Sequence, residues 1–235
     1  MKTPRGRLAL AFLIAGLLPT LAVAEPKELP RSISKASAQL AVVDLEGKEC
    51  RPLQLPLADK LTVLVFTTVD CPVANAYHPA LRRIANEYKA KGVHFFLVQV
   101  DPTVNREAAT RHRADYGITM RTVLDPQHAL VRAAGAAITP EAVVIDHEGR
   151  IRYRGRIDDW YHRLGTRRAA PRTHDLRDAL DALLAGEAPA LTQTEAIGCW
   201  IADFLPPDAG AGSAEGAPTE PGPSAAAPPH PAQDR

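Results

Sequence analysis

Charge of one sign is what this sequence most plainly lacks. It carries 28 Lys and Arg against 27 Asp and Glu, a net charge of +1. Three of the basic residues, Lys2, Arg5 and Arg7, fall in an N-terminal segment expected to be removed, which leaves 25 against 27. A chain this close to neutrality offers no basic field on the scale that nucleic acid requires, so no nucleic-acid partner is expected. The local density of Arg106, Arg111 and Arg113 reads as one solvated helix face. Long hydrophobic runs are also missing after the first 24 residues. The single candidate, Leu8 to Leu18, has about eleven residues and is too short for a bilayer core of about 30 Å. Basic residues precede it and Ala22-Val23-Ala24 follows it, the pattern of a secretory signal cleaved before Glu25. The expectation is an exported protein, periplasmic or secreted, with no stable membrane insertion after cleavage.

Cysteine is scarce too. There are three, Cys50, Cys71 and Cys199, and an odd number leaves at least one thiol unpaired within a monomer. Export permits disulfides, yet three cysteines make a poor staple for a domain of this size. An exchange role for at least one of them is the better reading. No HExxH, GxxxxGK or CxxC…CxxC pattern is present, and neither cofactor nor metal is expected.

What is present is one folded region with extensions. Residues 1–24 read as the signal peptide, 25–37 as a flexible polar leader, and 38–205 as the domain. The tail, 206–235, is rich in Pro, Ala and Gly; with almost no large apolar residues it cannot offset the entropy of folding and reads as disordered. Within the domain, apolar runs alternate with helical patterns. Strands are expected at Gln39 to Leu45, Leu61 to Thr67, His94 to Val100, Arg121 to Leu124, Ala142 to Ile145 and Ile151 to Gly155. Helices are expected from Pro72 to before Gly92, from Thr103 to about Tyr116, from Pro126 to Ala134, and from Asp175 to Leu184. This order predicts an α/β domain with helices on both faces of a central sheet.

Cys71 stands where the chemistry is expected, at the end of a buried strand and the start of a helix. The free N–H groups and dipole of a helix N-terminus favour a thiolate, the reactive form. Thr68, three residues earlier, is placed to donate a hydroxyl hydrogen bond to the sulfur. Thr139-Pro140, just before a strand, is a candidate for a conformationally special X-Pro bond. A neighbouring dithiol partner is absent, because position 74 is Ala74. Cys199, in a Gly-Cys pair beyond the last helix, is the candidate resolving thiol folding back on Cys71. A free Cys199 and a bond to Cys50 remain open alternatives, and Cys50 itself reads as structural or incidental. Arg154 and Arg156 alternate along one strand and are expected to share a face. From there Arg156 is the candidate to stabilise the thiolate and orient a peroxide, the alternative being a solvated face or pairing with Asp158 or Asp159. A copper site from Cys71, His78 and His147 would need the CxxxC pair that Asn75 interrupts.

The stretches VLVFTTVDCPVANAYHPAL, ITPEAVVIDHEGRIRYRGRIDDWY and TEAIGCWI resemble the redoxins of the thioredoxin-like superfamily. That group contains the alkyl hydroperoxide reductase/thiol-specific antioxidant proteins and exported TlpA-type proteins. The resemblance implies a thioredoxin-like fold with a mixed sheet, and Pro140 as a cis-proline facing the active sulfur. Thr68-x-x-Cys71-Pro72 is similar to the peroxidatic motif of peroxiredoxins, but the proline those enzymes carry seven residues before the cysteine is Leu64 here. The expected function is thiol-disulfide exchange through Cys71, with a protein disulfide or peroxide as substrate and a thiol as electron donor. The alternatives are a peroxiredoxin-like peroxidase and a non-enzymatic redoxin module or copper-assembly chaperone.

Overall fold

A computed structural model of the chain describes residues 31–54 and 59–202. The expected signal segment (1–24), the first part of the leader and the tail (206–235) lie outside the described residues. Among the described residues no helix is long and apolar enough to cross a membrane.

The run Leu61–Thr67 forms β3, with all seven residues buried. Successive side chains on a strand point to opposite faces, and here both faces are covered. Leu61, Val63 and Val65 join one core with α1 (Pro72–Lys89) and α4 (Asp175–Leu184). Leu64 and Phe66 join a second core beneath α3 (Ala129–Ala134). Strand β3 pairs in parallel with β4 (Val93–Gln99) and antiparallel with β7 (Glu141–Asp146). Adding β1 (Val42–Asp44), β2 (Glu49–Cys50), β5 (Arg121–Leu124) and β8 (Ile151–Gly155) gives a seven-stranded mixed sheet of order β2-β1-β5-β4-β3-β7-β8. Short pairs complete the set: β6 (Ile138–Thr139) with β11 (Cys199–Trp200), and β9 (Tyr161–Arg163) with β10 (Thr166–Arg167). Helix α2 (Arg106–Asp115) lies between β4 and β5 in the chain and buries only Ala109.

Helix α3 begins at Ala129 rather than Pro126, and three further boundaries differ from the sequence reading, each for a local reason. The first strand is shortened by a 3-10 turn at Ser37–Gln39, whose first N–H, on Ser37, donates back to Ser34 Oγ at 3.0 Å. Helix α2 starts at Arg106 because Asn105 is its cap, accepting from the Ala108 N–H at 2.9 Å; Thr103 is held instead by Asp101. The leader is not a free arm over residues 31–37. Ile33 is buried in the second core, its N–H donates to the Gly149 carbonyl at 2.8 Å, and the Ile151 N–H donates to the Arg31 carbonyl at 2.9 Å. An isolated apolar residue in a polar stretch has thereby found a surface on the β7–β8 hairpin.

After α4 the chain returns across the sheet edge as a strap, residues 192–201. Main-chain bonds join Arg154 to Thr192 and Thr194, each at 3.0 Å. The Thr194 hydroxyl accepts from the Arg156 N–H at 3.1 Å and shares a 2.7 Å bond with the Tyr153 hydroxyl. Gly155, at φ +145, leaves the room: a Cβ there would lie 2.2 Å from Thr194 Oγ1. The strap ends in β11, and beyond it Ile201 is buried in the second core with its N–H on the Ala137 carbonyl at 2.9 Å.

Candidate active site

The site forms where β3 ends, α1 begins and β6 meets β11. Cys71 is the N-cap of α1, with Pro72 at the first helical position, where a missing N–H is harmless. Its sulfur accepts the Ala74 N–H at 3.4 Å and donates to the Thr139 carbonyl at 3.1 Å. The Thr139–Pro140 peptide is cis. The loop before Cys71 is braced by Asn75, whose side-chain amide donates to the Val69 carbonyl and meets His112 Nε2, both at 2.8 Å.

β11 runs antiparallel to β6, with Cys199 opposite Thr139. Gly198 allows that approach, since a Cβ there would lie 1.9 Å from the Thr139 carbonyl oxygen. Cys199 thereby lies beside Cys71, whose sulfur bonds the same Thr139, and both line one cavity. Burial, and then the neighbouring Cys71, push the Cys199 pKa up to about 12. All three cysteines are free in this structure. Cys71 is only 1% exposed and forms the floor of a cavity of about 430 Å³, walled by Thr68, Asp70, Asp101, Cys199 and Trp200 among others. A larger cavity of about 520 Å³, between α1 and the β8–α4 connection, holds Trp160, Arg83 and Arg177 but no cysteine.

Other expected site residues are placed differently. The Thr68 hydroxyl accepts the Asp70 N–H at 3.3 Å, forming a local turn rather than a bond to the sulfur. Arg156 grips Asp175 through two hydrogen bonds of 2.9 and 3.0 Å and is not part of the cavity wall. Arg154 points to the other face, where its Nε donates to the Ala134 carbonyl at 3.0 Å. The two arginines part because Gly155 lies at φ +145, which breaks the strand alternation. Cys50 is on the edge strand β2, four strands from β3 and so about 19 Å across the sheet, which excludes a bond to either other cysteine in this fold. His147 follows Asp146, which pairs with Leu61 at the start of β3, about 20 Å along the strand from Cys71. His78 is buried between α1 and α2 with neither ring nitrogen partnered; its ring meets those of His112 and Tyr116. The trio imagined for copper is therefore not assembled, and no group of three potential ligands occurs among the described residues.

Glu141 went unnoticed in the sequence. Its carboxylate is buried and accepts the Ala137 and Ile138 N–H groups at 2.8 and 3.4 Å, which holds β6 against the site. Burial raises its pKa. An acidic residue directly before the apolar run Ala142 to Ile145 was the available signal. His128 lines the same cavity, held by its Nε2 on the Val100 carbonyl at 2.8 Å.

A family model described as Redoxin matches residues 34–161. The match includes Cys71 and Pro140 and ends before Cys199. No match was found among curated proteins. Among solved structures, an uncharacterized conserved protein from Geobacillus kaustophilus is 27% identical, with a TM-score of 0.63 over 78% of this chain and 96% of that one. A hypothetical protein from Sinorhizobium meliloti is 24% identical, with a TM-score of 0.62 over 74% of this chain and 94% of that one. A secreted Mycobacterium tuberculosis disulfide oxidoreductase homologous to E. coli DsbE is 18% identical, with a TM-score of 0.46 over 65% of this chain and 99% of that one.

Proposed function

The chain belongs to the Redoxin family, and from that premise we propose that it is a thiol-disulfide oxidoreductase in which Cys71 attacks and Cys199 resolves. The observation that carries this reading is that the β6–β11 pairing sets Cys199 opposite Thr139, the residue whose carbonyl the Cys71 sulfur bonds, so that both cysteines line one cavity. The Cys71 thiolate attacks a substrate disulfide, one substrate sulfur leaves as a thiolate, and a mixed disulfide remains. Cys199 then attacks the Cys71 sulfur, the second substrate thiol departs, and the protein is left with a Cys71–Cys199 disulfide. Two electrons pass to the substrate, and a thiol donor returns them. The Ala74 N–H and the N-terminus of α1 hold negative charge on the Cys71 sulfur. Cys199 and Trp200 cover that sulfur between two fixed points of the strap, Thr194 and Ile201, and shift aside to admit substrate.

Exchange is favoured over peroxide reduction because the groups that would activate a peroxide are engaged elsewhere. The Thr68 hydroxyl serves its own turn and Arg156 serves Asp175. We further propose that the reaction takes place outside the cytoplasm, on the strength of the N-terminal signal pattern. N-terminal sequencing of the mature protein checks that point, with Glu25 the expected first residue.

Mass spectrometry of the protein challenged with a peptide disulfide tests the exchange. Wild type should form the Cys71–Cys199 bond, Cys199→Ser should accumulate a mixed disulfide on Cys71, and Cys71→Ser should form neither. Undiminished exchange by Cys71→Ser would end this reading.

A further inference from the structure

The cavity above the sulfur is acidic on a chain that is otherwise close to neutral. Asp70 immediately precedes Cys71, and Asp101, just after β4, lines the same cavity. Among the described residues neither carboxylate takes part in an ion pair. Asp101 Oδ1 accepts the Thr103 N–H and hydroxyl at 2.8 and 2.7 Å, which fixes its position without neutralising it. No Lys or Arg lines the cavity. His112 feels the charges of Asp115 and Asp70, but burial lowers its pKa. At the rim Trp200 is 45% exposed and offers an indole face, the best aromatic partner for a cation.

We propose that this cavity selects polypeptide segments carrying Lys or Arg beside their cysteine and disfavours those flanked by Asp or Glu. The inference rests on the exchange reading above and names its substrate class. An ammonium or guanidinium group next to the reacting disulfide is drawn to Asp70 and Asp101 and can stack on Trp200. An acidic neighbour meets two negative charges, Asp101 held in place by Thr103 and Asp70 exposed at the rim, at a cleft where field lines are focused. The chemical step is unchanged: the substrate disulfide breaks, its two sulfurs leave as thiols, and the Cys71–Cys199 bond takes their place.

The test uses two homodimeric peptide disulfides, one with Lys on both sides of the cysteine and one with Glu. Each rate of reaction with the reduced full-length protein is divided by the rate of the same peptide with 2-mercaptoethanol, a thiol with no other charged group, which removes the intrinsic difference in leaving group. The Lys-to-Glu ratio is expected to be about ten or more at low salt. It should fall towards one in 1 M salt, where charges are screened beyond about 3 Å. Asp70→Asn/Asp101→Asn should bring the ratio towards one at low salt. Because the ratio is taken within each protein, a general change of rate in the variant cancels. A wild-type ratio near one, or a high ratio that the double substitution leaves intact, would overturn the selection while leaving exchange standing. Failure of both peptides to react would overturn the exchange reading and this inference with it.

Discussion

The strap meets the domain at two glycines, and the two meetings differ in kind. At Gly155 a side chain makes the join: the Thr194 hydroxyl fills the space a Cβ would take and bonds both the Arg156 main chain and the buried Tyr153. At Gly198 the contact is backbone against backbone, with the Thr139 carbonyl in the vacant space. The residues that follow it, Cys199 and Trp200, are half-buried and exposed. One absent side chain fixes the strap, and the other brings a thiol up to its partner. Stability and redox pairing should therefore respond separately to changes at the two places.

Gly155→Ala should have the largest effect. It places a Cβ against Thr194 at a φ that L-residues avoid, and backbone strain and overpacking together are expected to cost about 4 kcal/mol. Urea unfolding should show this, and the Cys71–Cys199 pairing should be lost with the strap. If the variant were as stable as wild type, the first join would not be an anchor. Gly198→Ala should divide the two properties. β6 and β11 must separate, and the Cys71–Cys199 disulfide should weaken at least about tenfold in a thiol redox buffer, as the second sulfur loses its effective concentration. Unfolding free energy should fall by less than about 2 kcal/mol. An unchanged redox equilibrium would show that the close approach of β11 does not place the thiol.

Thr194→Val should do the reverse on a smaller scale. It leaves the Arg156 N–H without its acceptor, costing about 1–3 kcal/mol, while the redox equilibrium moves less than in Gly198→Ala. The mildest effect concerns protonation at the strap's far end. With its pKa pushed up to about 12, Cys199 is a neutral thiol near pH 8, so its alkylation by iodoacetamide should be slow and rise about tenfold per pH unit. Cys71→Ala removes the neighbouring thiol but not the burial, which is the larger cause. Labelling at pH 9 should therefore quicken several-fold without reaching that of an exposed thiol. A Cys199 already labelled at the rate of free cysteine in wild type would contradict its burial beside Cys71.

The features legible in the sequence were those set within a few residues. The seven-residue apolar run of β3, the proline after Cys71 and the helical spacing behind it specify a thiol at a strand-to-helix junction without reference to the rest of the chain. What the sequence hid depended on partners far along it. Arg154 and Arg156 looked like neighbours on one face, but the backbone at Gly155 sends one under α3 and the other to Asp175. Thr68 had the right spacing to reach a sulfur, yet a nearer backbone N–H took its hydroxyl. Ile33 and Glu141 gain their meaning only from tertiary contacts with the β7–β8 hairpin and β6. The Gly-Cys pair at 198–199 suggested a returning thiol; the Thr139 carbonyl it packs against could not be read from sequence.

Trp200 also makes the site observable without a label. The chain has two tryptophans, and their surroundings are unlike. Trp160 stands edge-on to Tyr77 with ring centres 5.5 Å apart and lies beneath Arg167, whereas Trp200 is exposed directly after Cys199. Indole emission is sensitive to solvent and to a nearby disulfide. Trp160→Phe would leave a single emitter beside the sulfurs, so the fluorescence of that protein would follow electron transfer and the movement of the strap in real time.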